Sequence, residues 1–163
     1  MKPSVLFVCL GNICRSPLAE AAFRSEAGRI GLKVDVDSAG TGDWHIGRPP
    51  DPRAQATALR NGIDISAYRA RQVEPADFYR HTHVVALDAQ NLSDLEAMKP
   101  ADSPALLALL LDYVDGRAGE AVPDPYYGTD AGFDDTWALV VEGAAGLARA
   151  IQRGEVEATE PQR

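Results

Sequence analysis

Cysteine is scarce in this chain: there are two in 163 residues, Cys9 and Cys14, and both fall in one short stretch. Two cysteines do not make a disulfide scaffold. With only three histidines, no Cys/His cluster has metal-ligand spacing, so no metal and no other cofactor is expected. Long apolar runs are missing as well, so no segment reads as a membrane-spanning helix. The opening Met-Lys-Pro-Ser and its brief apolar run do not have the form of a signal peptide. The expectation is a cytoplasmic protein with no membrane partner. Positive charge is in deficit: 16 Lys and Arg against 24 Asp and Glu leave a net charge of −8, which argues against nucleic acid as a partner. Any anion site must then be positive locally. There is no internal repeat and no low-complexity linker. The length suits one domain with a proper core, residues 1–154, and the polar residues 155–163 read as a frayed tail.

What the chain does have is concentrated at residues 9–16, Cys-Leu-Gly-Asn-Ile-Cys-Arg-Ser. The apolar run Val5-Leu6-Phe7-Val8 precedes it, and Pro17 followed by Leu-Ala-Glu-Ala-Ala-Phe-Arg opens a helical pattern after it. A buried strand that ends at Cys9, a short loop and a helix from about Ser16 follow from that pattern. Pro17 suits a first helical turn, Ser16 is a good N-cap, and Glu20 is placed to add negative charge near the helix start. Such a turn traps phosphate. The helix N-terminus offers unpaired N–H groups, a curled loop adds more, and Arg15 supplies a planar fork for two oxygens. Cys9 lies in the same positive field, which favours its thiolate. A nucleophile and an arginine separated by five residues are what attack on a bound phosphoryl group needs. A bare Cys and Arg would more simply be a buried thiol and a solvated charge, but the strand–loop–helix setting and the flanking Gly11, Asn12 and Ser16 favour the site.

Along the rest of the chain, the first helix is expected to end near Ile30 at Gly31. A second strand covers Val34 to Ala39. Gly40 to Pro52 is a Gly- and Pro-rich loop, and Arg53 to Arg60 is a helix stopped at Asn61-Gly62. Pro75 to Tyr79 fits a helical turn, and His83 to Leu87 is a third strand. Asp88 caps a helix that ends near Met98. Ala105 to Leu111 is ambiguous by periodicity and is assigned as a fourth strand by the alternating order. A long loop spans Asp112 to Asp135, and a final helix runs from Phe133 to about Arg153. The fold class is therefore α/β: a four-stranded parallel sheet with helices on both faces and a phosphate-binding loop after the first strand, at the carboxyl edge where such sheets bind ligands.

The stretch "VLFVCLGNICRSPLAEAAFR" resembles the signature of the low-molecular-weight protein tyrosine phosphatases. The resemblance continues in order through "VDSAGTGDWHIGRPPDPRA", "RARQV", "DFYRHTHVVALDAQNL" and "DPYYG", and so covers nearly the whole chain. It implies a cysteine-dependent, metal-independent phosphatase that cleaves phosphotyrosine through a phosphocysteine on Cys9. The loop Leu10, Gly11, Asn12, Ile13, Cys14, Arg15 and Ser16 would hold the phosphoryl group, with Arg15 on its oxygens and the Ser16 hydroxyl on the sulfur. The general acid is open on residues alone, since Asp115, Glu120, Asp130 and Asp134 share the long loop with Asp124. The family pattern selects Asp124 in "DPYYG". Tyr126 and Tyr127, with Trp44 opposite and His45 at the rim, would wall a slot for a flat ring, although aromatic residues can also simply pack loops. Cys14 is either a small buried residue or, as the resemblance implies, a redox partner that captures oxidised Cys9. Asn12 and Ser38 match two members of an Asn–Ser–His network that braces the loop. Tyr68 stands where the histidine is usual, which is a departure. His81 and His83 have no evident partner.

Rival chemistries fit less well. A thiol-relaying arsenate reductase needs cysteines downstream of Cys14, and there are none. The related phosphoarginine phosphatases carry Thr where this chain has Ile13 and lack the paired tyrosines. A Cys–His hydrolase leaves Arg15 unexplained, and a plain phosphate-binding module needs neither Cys9 nor Asp124. A nucleotide P-loop would require Gly-Lys-Ser/Thr. The expected partner is a phosphotyrosine-containing protein, with a tyrosine kinase among the candidates.

Overall fold

The computed structural model describes residues 2–159. Four strands form one parallel sheet: β1 (Ser4–Cys9), β2 (Asp35–Gly40), β3 (His83–Ala86) and β4 (Leu106–Leu109), in the order β2-β1-β3-β4. The helices are α1 (Arg15–Ile30), α2 (Pro52–Arg60), α3 (Asp77–Arg80), α4 (Ala89–Met98) and α5 (Asp130–Thr159). The expected architecture is the one observed.

β1 is central and all six of its residues are buried, which is why it reads as a continuous apolar run rather than an alternating one. Its side chains still alternate by face. Val5, Phe7 and Cys9 join a core with α1, α2 and α5, where Phe7 meets Phe23 edge-on at 5.6 Å. Leu6 and Val8 join a second core with Phe78 of α3 and Leu95 of α4. Helices therefore cover both faces. From β1 the chain passes to β2 on one side, then crosses to β3 on the other. That reversal opens a crevice at the carboxyl end of β1, where the Cys9 loop lies.

Several boundaries differ from those expected. α1 begins at Arg15, and its N-cap is Cys14 with no side-chain cap bond. Ser16 is therefore inside the first turn and not the cap. Glu20 does not charge that turn either, because its side chain is buried and turned to Ser38 and Arg24. β4 stops at Leu109, and Leu110–Tyr113 turns into a 3-10 helix, so the apolar run Ala105–Leu111 was only partly strand. α5 starts three residues earlier than expected, at Asp130, and its backbone stays helical to Thr159. The Glu- and Ala-containing segment after Gly154 propagates a helix where its polarity suggested fraying. The end of the expected tail, residues 160–163, lies outside the described residues. α1 does end as expected, at Gly31, whose φ of +72° puts it in the left-handed region. Asp88 accepts from the Asn91 N–H as the cap of α4. Among the described residues no helix is long and apolar enough to cross a membrane.

Candidate active site

The Cys9 loop is shaped by its neighbours. As β2 leaves the sheet, Thr41 N–H donates to the Cys9 carbonyl and Gly42 N–H to the Leu10 carbonyl, each at 2.9 Å. Gly40 passes so close beneath the loop that a Cβ there would sit 2.7 Å from the Leu10 carbonyl oxygen. On the far side Asp51 N–H donates to the Ile13 carbonyl at 2.9 Å. Asn12 takes the sharp turn at φ +59°, the one positive φ outside glycine among the described residues.

The Cys9 sulfur is nearly buried and faces two hydrogen-bond partners: the Asn12 N–H at 3.3 Å and the Ser16 hydroxyl at 3.0 Å. Asn12 Nδ2 donates to Ser16 Oγ at 2.8 Å and to Ser38 Oγ at 3.0 Å. Ser16 and Ser38 thus lie behind the loop, with Asn12 between them. Tyr68 is half-buried beside Glu20 and Arg24, and the Ser38 hydroxyl donates a hydrogen bond to Glu20 Oε1 at 2.8 Å. Cys14 is buried in the core under the loop, where burial, then the charges of Asp51 and Cys9, push its thiol far above the ordinary range. It stays protonated while Cys9 faces the cleft.

Arg15 is 3% exposed and tightly held. Its Nη1 donates to Asp88 Oδ2 at 2.7 Å and to the Val122 carbonyl at 3.0 Å. Its Nη2 stands 3.7 Å from Asp124 Oδ2. Burial works against the charged guanidinium, but Cys9, Asp88 and Asp124 outweigh it and raise the pKa, so the group remains a cation. This supplies the local positive charge that the acidic chain otherwise lacks.

A cleft of about 400 Å³ opens over the loop. Cys9, Leu10, Gly11, Ile13, Cys14 and Arg15 form its floor. Its walls are Trp44 and His45 from the second loop and Asp124, Tyr126 and Tyr127 from the long loop. His45 packs on Gly11, where a Cβ would meet its ring at 3.0 Å. Tyr126 and Tyr127 stand edge to face at 4.8 Å, and Tyr127 is almost fully exposed. The sequence-selected residues therefore divide cleanly: Cys9, Arg15, Asp124 and the aromatics share one cleft, while Asn12, Ser16 and Ser38 back it. His81 and His83 are elsewhere, engaged with Ser4 and Thr82 at the opposite edge of the sheet.

Two contributors escaped the sequence reading. Asp88 was assigned only as a helix cap, yet its second oxygen holds Arg15. Its place immediately beyond a central strand at the crevice was the available signal. Arg53 ties the walls together. It pairs with Asp51, donates to the Tyr126 carbonyl at 3.0 Å, and lies over the Tyr126 and Phe133 rings at 5.6 and 4.7 Å. Nothing local to its sequence announces that reach.

A cysteine sulfur and a caged arginine at one helix N-terminus, facing a carboxylate, define a phosphoryl-transfer site built on a parallel α/β sheet. The sequence model of the low molecular weight phosphotyrosine protein phosphatase family matches residues 4–157, and the chain belongs to that family of cysteine-based, metal-independent enzymes. The chain is 41% identical over 150 residues to the low molecular weight phosphotyrosine protein phosphatase of Schizosaccharomyces pombe, with 90% of this chain and 96% of that protein covered. It is 43% identical over 152 residues to the low molecular weight protein-tyrosine-phosphatase YfkJ of Bacillus subtilis, covering 92% and 96%. The crystal structure of YfkJ superposes with a TM-score of 0.88 over 95% of this chain and 98% of that one. A Drosophila arginine phosphatase has the same fold, with a TM-score of 0.86 and 30% identity, covering 93% of this chain and 98% of that one.

Proposed function

We propose that this chain dephosphorylates protein phosphotyrosine by way of a phosphocysteine on Cys9. The observation that carries the reading is Arg15, held within one cleft between Asp88 and Asp124 and beside the Cys9 sulfur. Arg15 and the loop N–H groups bind the three peripheral phosphoryl oxygens. The Cys9 thiolate attacks phosphorus, the P–O bond to the aryl group breaks, and Asp124 gives its proton to the departing phenolate. A water then attacks phosphorus and loses a proton to Asp124 as the P–S bond breaks. Inorganic phosphate leaves and the thiolate is restored. Ser16, 3.0 Å from the sulfur, donates to it when it is the leaving group. Trp44, His45, Tyr126 and Tyr127 form the substrate wall, with depth for a flat ring.

A phosphoarginine reading is the alternative, because arginine phosphatases are among the structural neighbours. Ile13 on the cleft floor and the Tyr126–Tyr127 pair favour a ring over a guanidinium. Matched phosphotyrosine, phosphoserine and phosphoarginine peptides, assayed without metal, decide. Cys9→Ser abolishes release from phosphotyrosine peptide while oxyanion binding survives; appreciable turnover in that variant would sink the mechanism. Preference for phosphoarginine would keep the chemistry and change the substrate.

Cys14 is proposed as the redox partner. Peroxide oxidises Cys9 to a sulfenic acid, and the Cys14 thiol condenses with it to a disulfide with loss of water. In the same assay after peroxide, Cys14→Ser recovers with added thiol less fully than the wild type; equal recovery would remove that role. A cytoplasmic setting, reducing enough to restore the thiol, fits this cycle, and a phosphorylated tyrosine kinase is a fitting substrate.

A further inference from the structure

The segment that carries Asp124 has few attachments. It starts where the Val122 N–H donates to the Leu87 carbonyl at 2.8 Å, and it ends where α5 begins at Asp130. Across residues 123–128, among the described residues, one hydrogen bond reaches another part of the chain: Arg53 Nη2 donates to the Tyr126 carbonyl at 3.0 Å. The other bonds of the segment are local. Gly128 N–H donates to the Pro125 carbonyl at 3.0 Å, and Tyr126 N–H donates to Asp124 Oδ1 at 3.1 Å. Asp124 Oδ2 stands 3.7 Å from Arg15 Nη2, too far for a hydrogen bond.

Arg53 is itself well anchored. Its Nε and Nη2 grip the two oxygens of Asp51 at 3.1 and 3.0 Å, and its guanidinium lies over the rings of Phe133 and Tyr126. Asp51 in turn gives its N–H to the Ile13 carbonyl of the phosphate loop at 2.9 Å. A continuous path therefore runs from the phosphate loop through Asp51 and Arg53 to Tyr126. There it passes to the acid, because the same residue whose carbonyl Arg53 holds also holds Asp124 Oδ1 by its N–H. Oδ2 is left to serve the cleft. We propose that Arg53 is a positioning residue for Asp124: it sets the distance of the acid-bearing segment from the phosphate loop, so that Oδ2 meets the departing oxygen. The proposal rests on the reading of Asp124 as the general acid. The start of α2 does not depend on this side chain, since Asp51 Oδ1 already accepts the Arg53 backbone N–H at 2.8 Å. Lysine is no substitute, because an ammonium cannot fork on Asp51 and reach Tyr126 at once.

Arg53→Met tests this, since it keeps an apolar stem beside the rings and removes every side-chain donor. Two esters separate loss of aim from general damage. 4-Nitrophenyl phosphate releases a stable phenolate and needs little protonation, whereas phenyl phosphate needs the acid. The expected result is that kcat/KM falls about tenfold further for phenyl phosphate than for 4-nitrophenyl phosphate. Inhibition by inorganic phosphate, which reads the Arg15 loop, is retained. In an Asp124→Asn background, Arg53→Met adds no further loss on phenyl phosphate, as follows when one residue acts through the other. Arg53→Lys gives the same pattern and carries the test alone if Arg53→Met fails to fold. An equal fall on both esters, or a full further loss in the Asp124→Asn background, would make Arg53 a brace of the wall and overturn the proposal. Equal losses on the two esters in Asp124→Asn alone would refute the acid itself, whatever Arg53 does.

Discussion

Asp88 divides one carboxylate between two elements. Oδ1 accepts from the Asn91 N–H at the start of α4, and Oδ2 from Arg15. The two tasks can be separated by substitution. Asparagine caps a helix about as well as aspartate, so Asp88→Asn should leave stability within about 0.5 kcal/mol of wild type while removing the negative charge beside Arg15. Asp88→Ala should lose the cap as well, at about 1 kcal/mol. Both should lower kcat/KM, by tenfold or more, because an arginine displaced by a fraction of an ångström no longer meets the transferring oxygens. Chemical denaturation beside steady-state kinetics distinguishes the cases, and full activity in Asp88→Asn would mean that the Val122 carbonyl and the loop suffice to hold Arg15. Residues whose placement depends on close sequence neighbours, such as Cys9, Arg15 and Asn12 in the loop after β1, were legible from the chain. Asp88, Glu20 and Arg53 were not, because each works on a partner brought near by the fold. Asp88 meets Arg15 across 73 residues, and Arg53 meets Tyr126 across 73. Ser16 was read two ways: its type suggested a cap, which falls instead to Cys14, while the resemblance put its hydroxyl on the sulfur, where it lies at 3.0 Å.

At the scale of elements, the phosphate loop is seated on the end of β2 as much as on β1. Gly40 closes β2, takes a hydrogen bond from Val73 and lies against the Leu10 carbonyl. A methyl group there would press on backbone, which cannot rotate away. Gly40→Ala should therefore cost about 1–3 kcal/mol and lower activity by more than the lost stability explains, since the loop must lift. Melting temperature and kcat measured together check this, and a stable variant of normal activity would show that the loop tolerates the shift. Strands and helices with a clear period were read correctly within a residue or two. The errors fell where local preference and tertiary context part. The apolar run at Ala105–Leu111 is strand only while it pairs with β3, then turns tightly to pack Leu110 and Leu111 into the core. α5 gains its first turn from Asp130, in a stretch whose many acids read as loop.

Across the whole molecule, an ionic network ties α3 to β2 through Arg71, which bonds both Asp37 and Asp77. Asp77 is fully buried, bound by Arg71 at 2.9 and 3.0 Å and by the Glu74 N–H at 2.9 Å, with His81 at 3.6 Å. Burial alone would raise its carboxyl, but His81, Arg71 and the Glu74 N–H outweigh that and hold it well below the usual range. A carboxyl depressed in the folded state contributes stability above its unfolded value of about 3.8, and that contribution is lost as pH falls through the folded value. Unfolding free energy should thus decline from about pH 5 downward, and Asp77→Asn should flatten the slope there while lowering stability at neutral pH. An identical acid slope in that variant would assign the effect to other carboxylates. Glu20 works with the opposite sign: burial raises its pKa, so its contribution is greatest at low pH and fades as pH rises through the folded value.

Cys9 and Cys14 are also members of the larger core, packed with α1 and α5. Both lie at the floor of the cleft and are almost fully buried, and Cys14 is held there as a protonated thiol. A coloured disulfide reagent, which needs a thiolate, would react with Cys14 slowly while the fold holds and quickly once it opens. The chain thus carries an internal clock for its own unfolding, readable in a spectrophotometer with no label attached.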